Sequence, residues 1–357
     1  MIGGMESLRE LYRIGHGPSS SHTMGPRSAG EHFLQQYPHA ASFVAELYGS
    51  LAATGKGHLT DTTLREVFAK GEKPIEILWY REVEQKHPNT LVIKAFDEED
   101  RIIASRTYYS VGGGKIVIEG EENPASVSVY PPELTKMSAI LEYCNKEGLQ
   151  LWEFVLEVEG KEILTYMKEV WGVMSDSVER GIEEEGVLPG GLKLPRKAHS
   201  YFLKASKGAY PLDDSALALS YALAVSEENA SGNLVVTAPT CGSAGVLPGV
   251  LYYYAKQKNA GRIRILRALL TAGLVGNLVK TNGSISGAEV GCQGEIGVAC
   301  AMAGAAAAQL NGGSIFQVEY AAEMGLEHHL GLTCDPMLGL VQIPCIERNA
   351  LGAMRSL

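Results

Sequence analysis

No cluster of lysines or arginines offsets the formal net charge of −10 on these 357 residues. That argues against nucleic acid and anionic membrane surfaces as partners. The first residues show no basic region followed by an apolar run, so no secretory signal is expected. Long uninterrupted apolar stretches are also lacking. Residues 265–279 are broken by arginine, glycine and asparagine, and 298–308 are alanine-rich, so both read as buried helices rather than membrane spans. The six cysteines show no paired short spacing of a structural zinc site. Without a secretory signal they point to free thiols or metal ligands rather than disulfides. The expectation is a cytoplasmic protein whose length favours two domains.

The organisation changes near residue 131. Strand-like alternation dominates before it, at 75–80, 90–95, 101–110 and 114–119, with helical segments at 27–37 and 62–69. This predicts an α+β N-terminal domain over residues 1–132, closed by Pro131-Pro132. Beyond it strand signals fade and helical periodicity takes over at 151–186, 215–227, 244–256, 264–280 and 298–310. A mainly α-helical catalytic domain is expected over 137–357, with small-residue packing that suits a homodimer.

Chemistry concentrates at the two ends. Cys292, Cys334 and Cys345 lie in weakly charged stretches: Gly-Cys-Gln-Gly-Glu, Leu-Thr-Cys-Asp-Pro and Ile-Pro-Cys-Ile-Glu-Arg-Asn. Three ligands would leave a metal one open coordination position, which a Lewis-acid catalyst requires. Near the N-terminus, Gly15-His16-Gly17-Pro18-Ser19-Ser20-Ser21-His22-Thr23-Met24-Gly25-Pro26 crowds hydroxyls and two histidines into a turn before a helix. Ser20 or Ser21 there could meet a carboxylate or phosphate, and an ordinary serine N-cap is the plain alternative.

The segment 19–26, together with Ser284-Ile285-Ser286-Gly287-Ala288-Glu289-Val290-Gly291-Cys292-Gln293-Gly294-Glu295, Gly331-Leu332-Thr333-Cys334-Asp335-Pro336 and Gln342-Ile343-Pro344-Cys345-Ile346-Glu347-Arg348-Asn349-Ala350, resembles the motifs of the bacterial iron–sulfur L-serine dehydratases (L-serine ammonia-lyases). The likeness runs from about Leu8 onward. It implies conversion of L-serine to pyruvate and ammonia on a [4Fe-4S] cluster held by Cys292, Cys334 and Cys345. One iron would act as Lewis acid on the substrate hydroxyl. It further implies a histidine as general base, with Ser20, Ser21 and Thr23 near the substrate carboxylate. The chain departs from the pattern in two places. It ends soon after Cys345, where relatives continue and some finish with a cysteine reaching the site, and Cys241 stands where asparagine is common.

Among nine histidines, His58 in the glycine-flanked turn Thr54-Gly55-Lys56-Gly57-His58 is the first choice for the base. His22 is the alternative base or a donor that orients substrate, and His16 is weaker. His328 or His329 could support the cluster or close a helix. Asn282, Ser284 and Ser286 read equally as donors or as turn residues. Cys144 and Cys300 read as structural, and Cys241 as a neighbour of the site or a fourth ligand. Gly112-Gly113-Gly114 lacks the lysine of a phosphate loop and reads as a hairpin turn or a packing contact. Two competing readings are a catalytically inactive serine-binding regulator and a cluster-dependent hydro-lyase for another hydroxy acid. A pyridoxal-phosphate dehydratase would make the same product, but no lysine lies in a recognisable cofactor context.

Overall fold

The computed structural model describes residues 4–83, 85–121, 127–207 and 213–357. After a short strand, β1 (Ile14–His16), the first third runs through α1 (Gly25–Gln36), β2 (Ser42–Tyr48), α2 (Gly49–Thr54), α3 (Thr60–Lys70), β3 (Ile75–Tyr80), β4 (Thr90–Phe96), β5 (Ile102–Gly112) and β6 (Lys115–Ile118). The last five strands form one sheet in the order β3-β2-β4-β5-β6. Among the described residues only β2 and β3 pair in parallel, with α2 and α3 making the crossover. Period-two side chains place Phe43, Ala45 and Leu47 beside Ile93 and Ala95 on one face, which α1 and α3 cover with Phe33, Leu64 and Phe68. The other face carries charge, with Lys94 Nζ 2.6 Å from Glu46 Oε1. The sequence pattern shows no strand over Ser42–Tyr48, because Glu46 and the small Ala45 blur its alternation. Pairing with β3 and β4 on both sides nevertheless makes it interior.

The remainder is helical, as expected: α4 (Met137–Glu147), α5 (Leu151–Glu159), α6 (Ile163–Glu183), α7 (Ala198–Ser206), α8 (Asp213–Ala230), a short β7 (Leu234–Val236), α9 (Val246–Gln257), α10 (Arg262–Asn282), α11 (Gly287–Val290), α12 (Val298–Leu310), α13 (Ile315–Glu327) and α14 (Cys345–Arg355). The helix expected over 151–186 is two, because Gly160 adopts a φ of 77° and ends the first. α10 and α12 are apolar nearly all round and sit at the centre. Small residues bring neighbours close: a Cβ on Gly325 of α13 would lie 2.9 Å from the Ala301 nitrogen of α12.

The start of the chain departs from the expected domain 1–132. Met5, Leu8, Leu11 and Tyr12 pack in the helical core, and Tyr12 Oη donates to the Leu269 carbonyl at 2.9 Å. α10 makes room for them, since a Cβ on Gly273 would come within 2.7 Å of Leu8 and 2.9 Å of Tyr12. β1 then pairs antiparallel with β7. The serine-rich turn therefore leaves the helical body directly and enters the sheet layer through α1.

Candidate active site

A cleft of about 540 Å³ opens where the sheet layer meets the helices. One wall holds Ser19, Ser20, Ser21, His22, Ser50 and His58, and the other holds Glu295, Cys334 and Cys345 with the glycine-rich segment around Ser286. Both walls start from π-helical turns that run into helices, Ser20–Met24 before α1 and Gln293–Gly297 before α12. Such wide turns widen the backbone spiral and recur at functional sites.

The serine turn is tied down from three elements. Thr60 Oγ1 on α3 donates to the His22 carbonyl at 2.5 Å, and Ser110 Oγ on β5 donates to the Ser21 carbonyl at 2.7 Å. Asn229 Nδ2 on α8 donates to the Pro18 carbonyl at 2.9 Å. Ser19 caps the turn by accepting from the His22 amide. His22 is engaged at both ring nitrogens, with Ser21 Oγ at 2.9 Å from Nδ1 and Ser50 Oγ at 3.0 Å from Nε2. The His58 ring lies 4.5 Å away, centroid to centroid. His58 Nδ1 is 3.1 Å from the Thr54 carbonyl, an oxygen that can only accept. Nδ1 therefore carries the proton and Nε2 the lone pair. Burial holds both imidazoles neutral, lowering His58 to about 4 and His22, further depressed by its neighbour His58, to about 3. Thr23 does not line the cleft. Its hydroxyl accepts from the Ser19 amide and donates to the His58 carbonyl at 2.7 Å, so it fixes the backbone beneath both histidines.

The opposite wall gathers three segments. Cys292 precedes the π-turn, and Gln293 links it to the Cys334 loop: its amide donates to the Leu332 carbonyl at 3.1 Å and its Oε1 accepts from the Gly331 amide at 3.0 Å. Cys345 begins α14. One ligand atom each from Cys292, Glu295 and Cys334 lie within 4.8 Å of one another. A hydrogen bond from the Cys334 thiol and another from Arg348 lower Cys292, while that shared bond and burial raise Cys334 and burial raises Cys345. The surrounding protein and the neighbouring Cys292 push Glu295 up to about 7, against the hydrogen bond from Thr240 Oγ1 at 2.6 Å.

Comparison with known proteins gives this arrangement a lineage. The family described as serine dehydratase alpha chain matches residues 87–357, and that described as serine dehydratase beta chain matches residues 7–76. The chain belongs to the serine dehydratase family. It is 39% identical to the L-serine dehydratase of Haemophilus influenzae, over 99% of this chain and 89% of that protein. It is 40% identical to L-serine dehydratase 1 of Escherichia coli, with the same coverage. For the L-serine dehydratase of Streptomyces coelicolor the identity is 40%, over 98% of this chain and 88% of the relative.

Other candidates lie away from the cleft or at its edge. Cys241 is buried, and its thiol faces Met24 Sδ at 3.4 Å instead of the cleft. Cys300 points to the Gly352 carbonyl, and Cys144 is buried in the helical core. His328 and His329 bond back to the Met324 and Gly325 carbonyls, and His16 to the Gly232 carbonyl, and none of the three lines the cleft. Asn282 bonds to the Thr135 and Leu278 carbonyls, and Ser284 to Glu289. Gly112 and Gly113 form the β5–β6 turn at the cleft edge. Sequence reasoning gave no role to Glu295, Ser50 or Arg348. Glu295 stands three residues after Cys292 and Arg348 three after Cys345, a spacing that places each on the same side of its helical turn as the cysteine.

Proposed function

We propose that this chain is an L-serine dehydratase that converts L-serine to pyruvate and ammonia in the cleft between its sheet and helical domains. The observation that carries the reading is that His58, whose Nε2 has no hydrogen-bond partner among the described residues, faces Cys334 and Cys345 across one cleft, with Cys292 buried directly behind Cys334. The donor set fits a [4Fe-4S] cluster held by Cys292, Cys334 and Cys345. The thiols are soft and lie in three separate segments: Cys334 and Cys345 line the cleft and Cys292 lies beside Cys334, while no other cysteine lines the cleft among the described residues. Glycine keeps their surroundings clear, since a Cβ at Gly287 would lie 3.5 Å from Cys334 Sγ and 2.3 Å from a Glu295 oxygen. When bound, such a cluster supplies a Lewis-acidic iron for the departing hydroxyl.

The protein's own groups do the rest. The hydroxyls of Ser20 and Ser21 receive the substrate carboxylate, and Thr23 holds the His58 backbone in place. His58 Nε2 takes the α-proton, and the carboxylate arriving beside its ring raises the basicity that burial had lowered. His22, tied to Ser21 and Ser50, orients the turn. Loss of hydroxide leaves aminoacrylate, which tautomerises and hydrolyses to pyruvate and ammonia. Among the described residues no lysine or arginine lines the cleft. That disfavours a second substrate carboxylate and a pyridoxal-phosphate aldimine alike. A cytoplasmic homodimer completes the proposal. Free thiols at all six cysteines suit a reducing compartment, and no helix among the described residues is long and apolar enough to cross a membrane.

The test is pyruvate release from L-serine and from L-threonine by protein purified without oxygen, with iron and sulfide restored. Turnover of serine that vanishes on iron chelation supports the reading, whereas a well-loaded protein inert toward serine overturns it.

A further inference from the structure

Glu295 is a carboxylate with no lysine or arginine paired to it among the described residues. It lines the cleft and is otherwise enclosed by protein, with one hydrogen bond, from Thr240 Oγ1 to Oε1, and none recorded to Oε2 among the described residues. Among the described residues no lysine or arginine shares the cleft lining. An anion so placed costs free energy unless a positive group joins it. Two glycines keep its approaches open. A Cβ on Gly242 would stand 3.0 Å from Oε1, and one on Gly287 would stand 2.3 Å from Oε2. The other acid of the lining, Glu289, is exposed and already bonded by Ser284. Glu295 also lies on the thiol wall, its oxygen within 4.8 Å of the Cys292 and Cys334 sulfurs. In serine the hydroxyl and ammonium groups sit on neighbouring carbons. A substrate with its hydroxyl at the thiol wall and its carboxylate at the serine turn therefore has its ammonium beside that wall.

We propose that Glu295 is the substrate-binding residue that receives the α-ammonium of the amino acid and selects it over hydroxy acids of the same shape. This rests on the serine dehydratase reading above. Thr240 and the flanking glycines hold the carboxylate ready, and the arriving ammonium supplies the missing charge. Selection follows from chemistry: L-glycerate, with a hydroxyl in place of the ammonium, offers Glu295 no positive partner.

The experiment compares wild-type, Glu295→Gln and Glu295→Asp proteins, each reconstituted anaerobically, for KM and kcat with L-serine, inhibition by L-glycerate, iron content and visible absorption. For Glu295→Gln the serine KM should rise about ten- to hundredfold, the loss of a charge-assisted hydrogen bond. L-Glycerate inhibition, iron content and spectrum should stay as in wild type. Glu295→Asp, which keeps the charge, should recover part of the lost affinity. Equal weakening of serine and glycerate, or a fall in kcat at unchanged KM, overturns the inference. So does loss of iron in Glu295→Gln, which would make Glu295 a support of the cluster. Wild-type protein that binds iron but releases no pyruvate from serine fails the reaction assignment itself and takes the inference with it.

Discussion

The sheet-side wall of the cleft is closed on itself by hydrogen bonds, and the helix-side wall is not. On the sheet side, His22 is held at both ring nitrogens, and Thr23 and Thr60 clamp the backbones of His58 and His22. His58 lines the cleft with Nδ1 fixed on the Thr54 carbonyl and no hydrogen-bond partner for Nε2 among the described residues. On the helix side, three thiols and a carboxylate crowd together, and their charged forms destabilise one another. Protein alone suffices to preorganise the first wall, whereas the second is arranged for something that arrives. Preorganised dipoles and a ligand-completed donor set are two routes to the same end, a site that need not rearrange during reaction.

The comparison can be broken most severely from the thiol side. Cys334→Ala or Cys292→Ala should lower kcat at least about a thousandfold, because Lewis-acid help to a poor leaving group amounts to several kcal/mol. Iron should fall with it, while Cys241→Ala should keep its iron, its sulfur being turned to Met24. Iron analysis beside circular dichroism separates ligand loss from unfolding. On the sheet side, His58→Gln should lower kcat about a hundredfold or more, the usual worth of a positioned base. Its iron content and absorption should match wild type, since no cysteine depends on that ring.

The two buried histidines also sharpen the contrast through stability. Their folded values, about 4 for His58 and about 3 for His22, lie below the ordinary 6.5. The unfolded chain therefore binds protons that the native one refuses. Their contribution is full above pH 6.5 and is lost as pH falls toward the folded values. Between pH 6.5 and 5 the pair should cost about 3 kcal/mol of unfolding free energy, measured by denaturant titration. That loss should be smaller in a His22→Gln, His58→Gln double variant, and an unchanged pH dependence would contradict the burial argument. The smallest expected effect is at Arg348, whose Nη1 donates to the Thr333 carbonyl at 2.8 Å and which also reaches Cys292. Arg348→Ala should speed bleaching of the cluster absorbance in air by about tenfold, as for other groups that orient metal ligands. Freshly reconstituted activity should be less affected.

Much of the site was legible because its residues are chemically distinctive and cluster in short motifs. Ser20, Ser21, His22, His58, Cys334 and Cys345 all line the cleft from such stretches, and Cys292 lies buried beside Cys334. What escaped notice depends on three-dimensional neighbours. Glu295 reads as an ordinary acid until Gly242 and Gly287 are seen to frame it, and Thr23 reads as a site hydroxyl until its partners prove to be backbone. The fold was legible where periodicity is clean, as in β3, β4 and the central helices. It was not at β2, where pairing on both edges outweighs a weak pattern, or at Met5 to Tyr12, whose apolar side chains fit a groove that only α10 reveals.

The claim that both walls act on one serine is tested most directly by pyruvate release from L-serine in three samples: iron-loaded wild type, the same preparation stripped of iron, and iron-loaded His58→Gln. The account predicts turnover in the first and near-complete loss in the other two, with the His58 variant keeping its full iron. Substantial turnover by iron-free protein, or a wild-type rate in the iron-loaded His58→Gln variant, would contradict it.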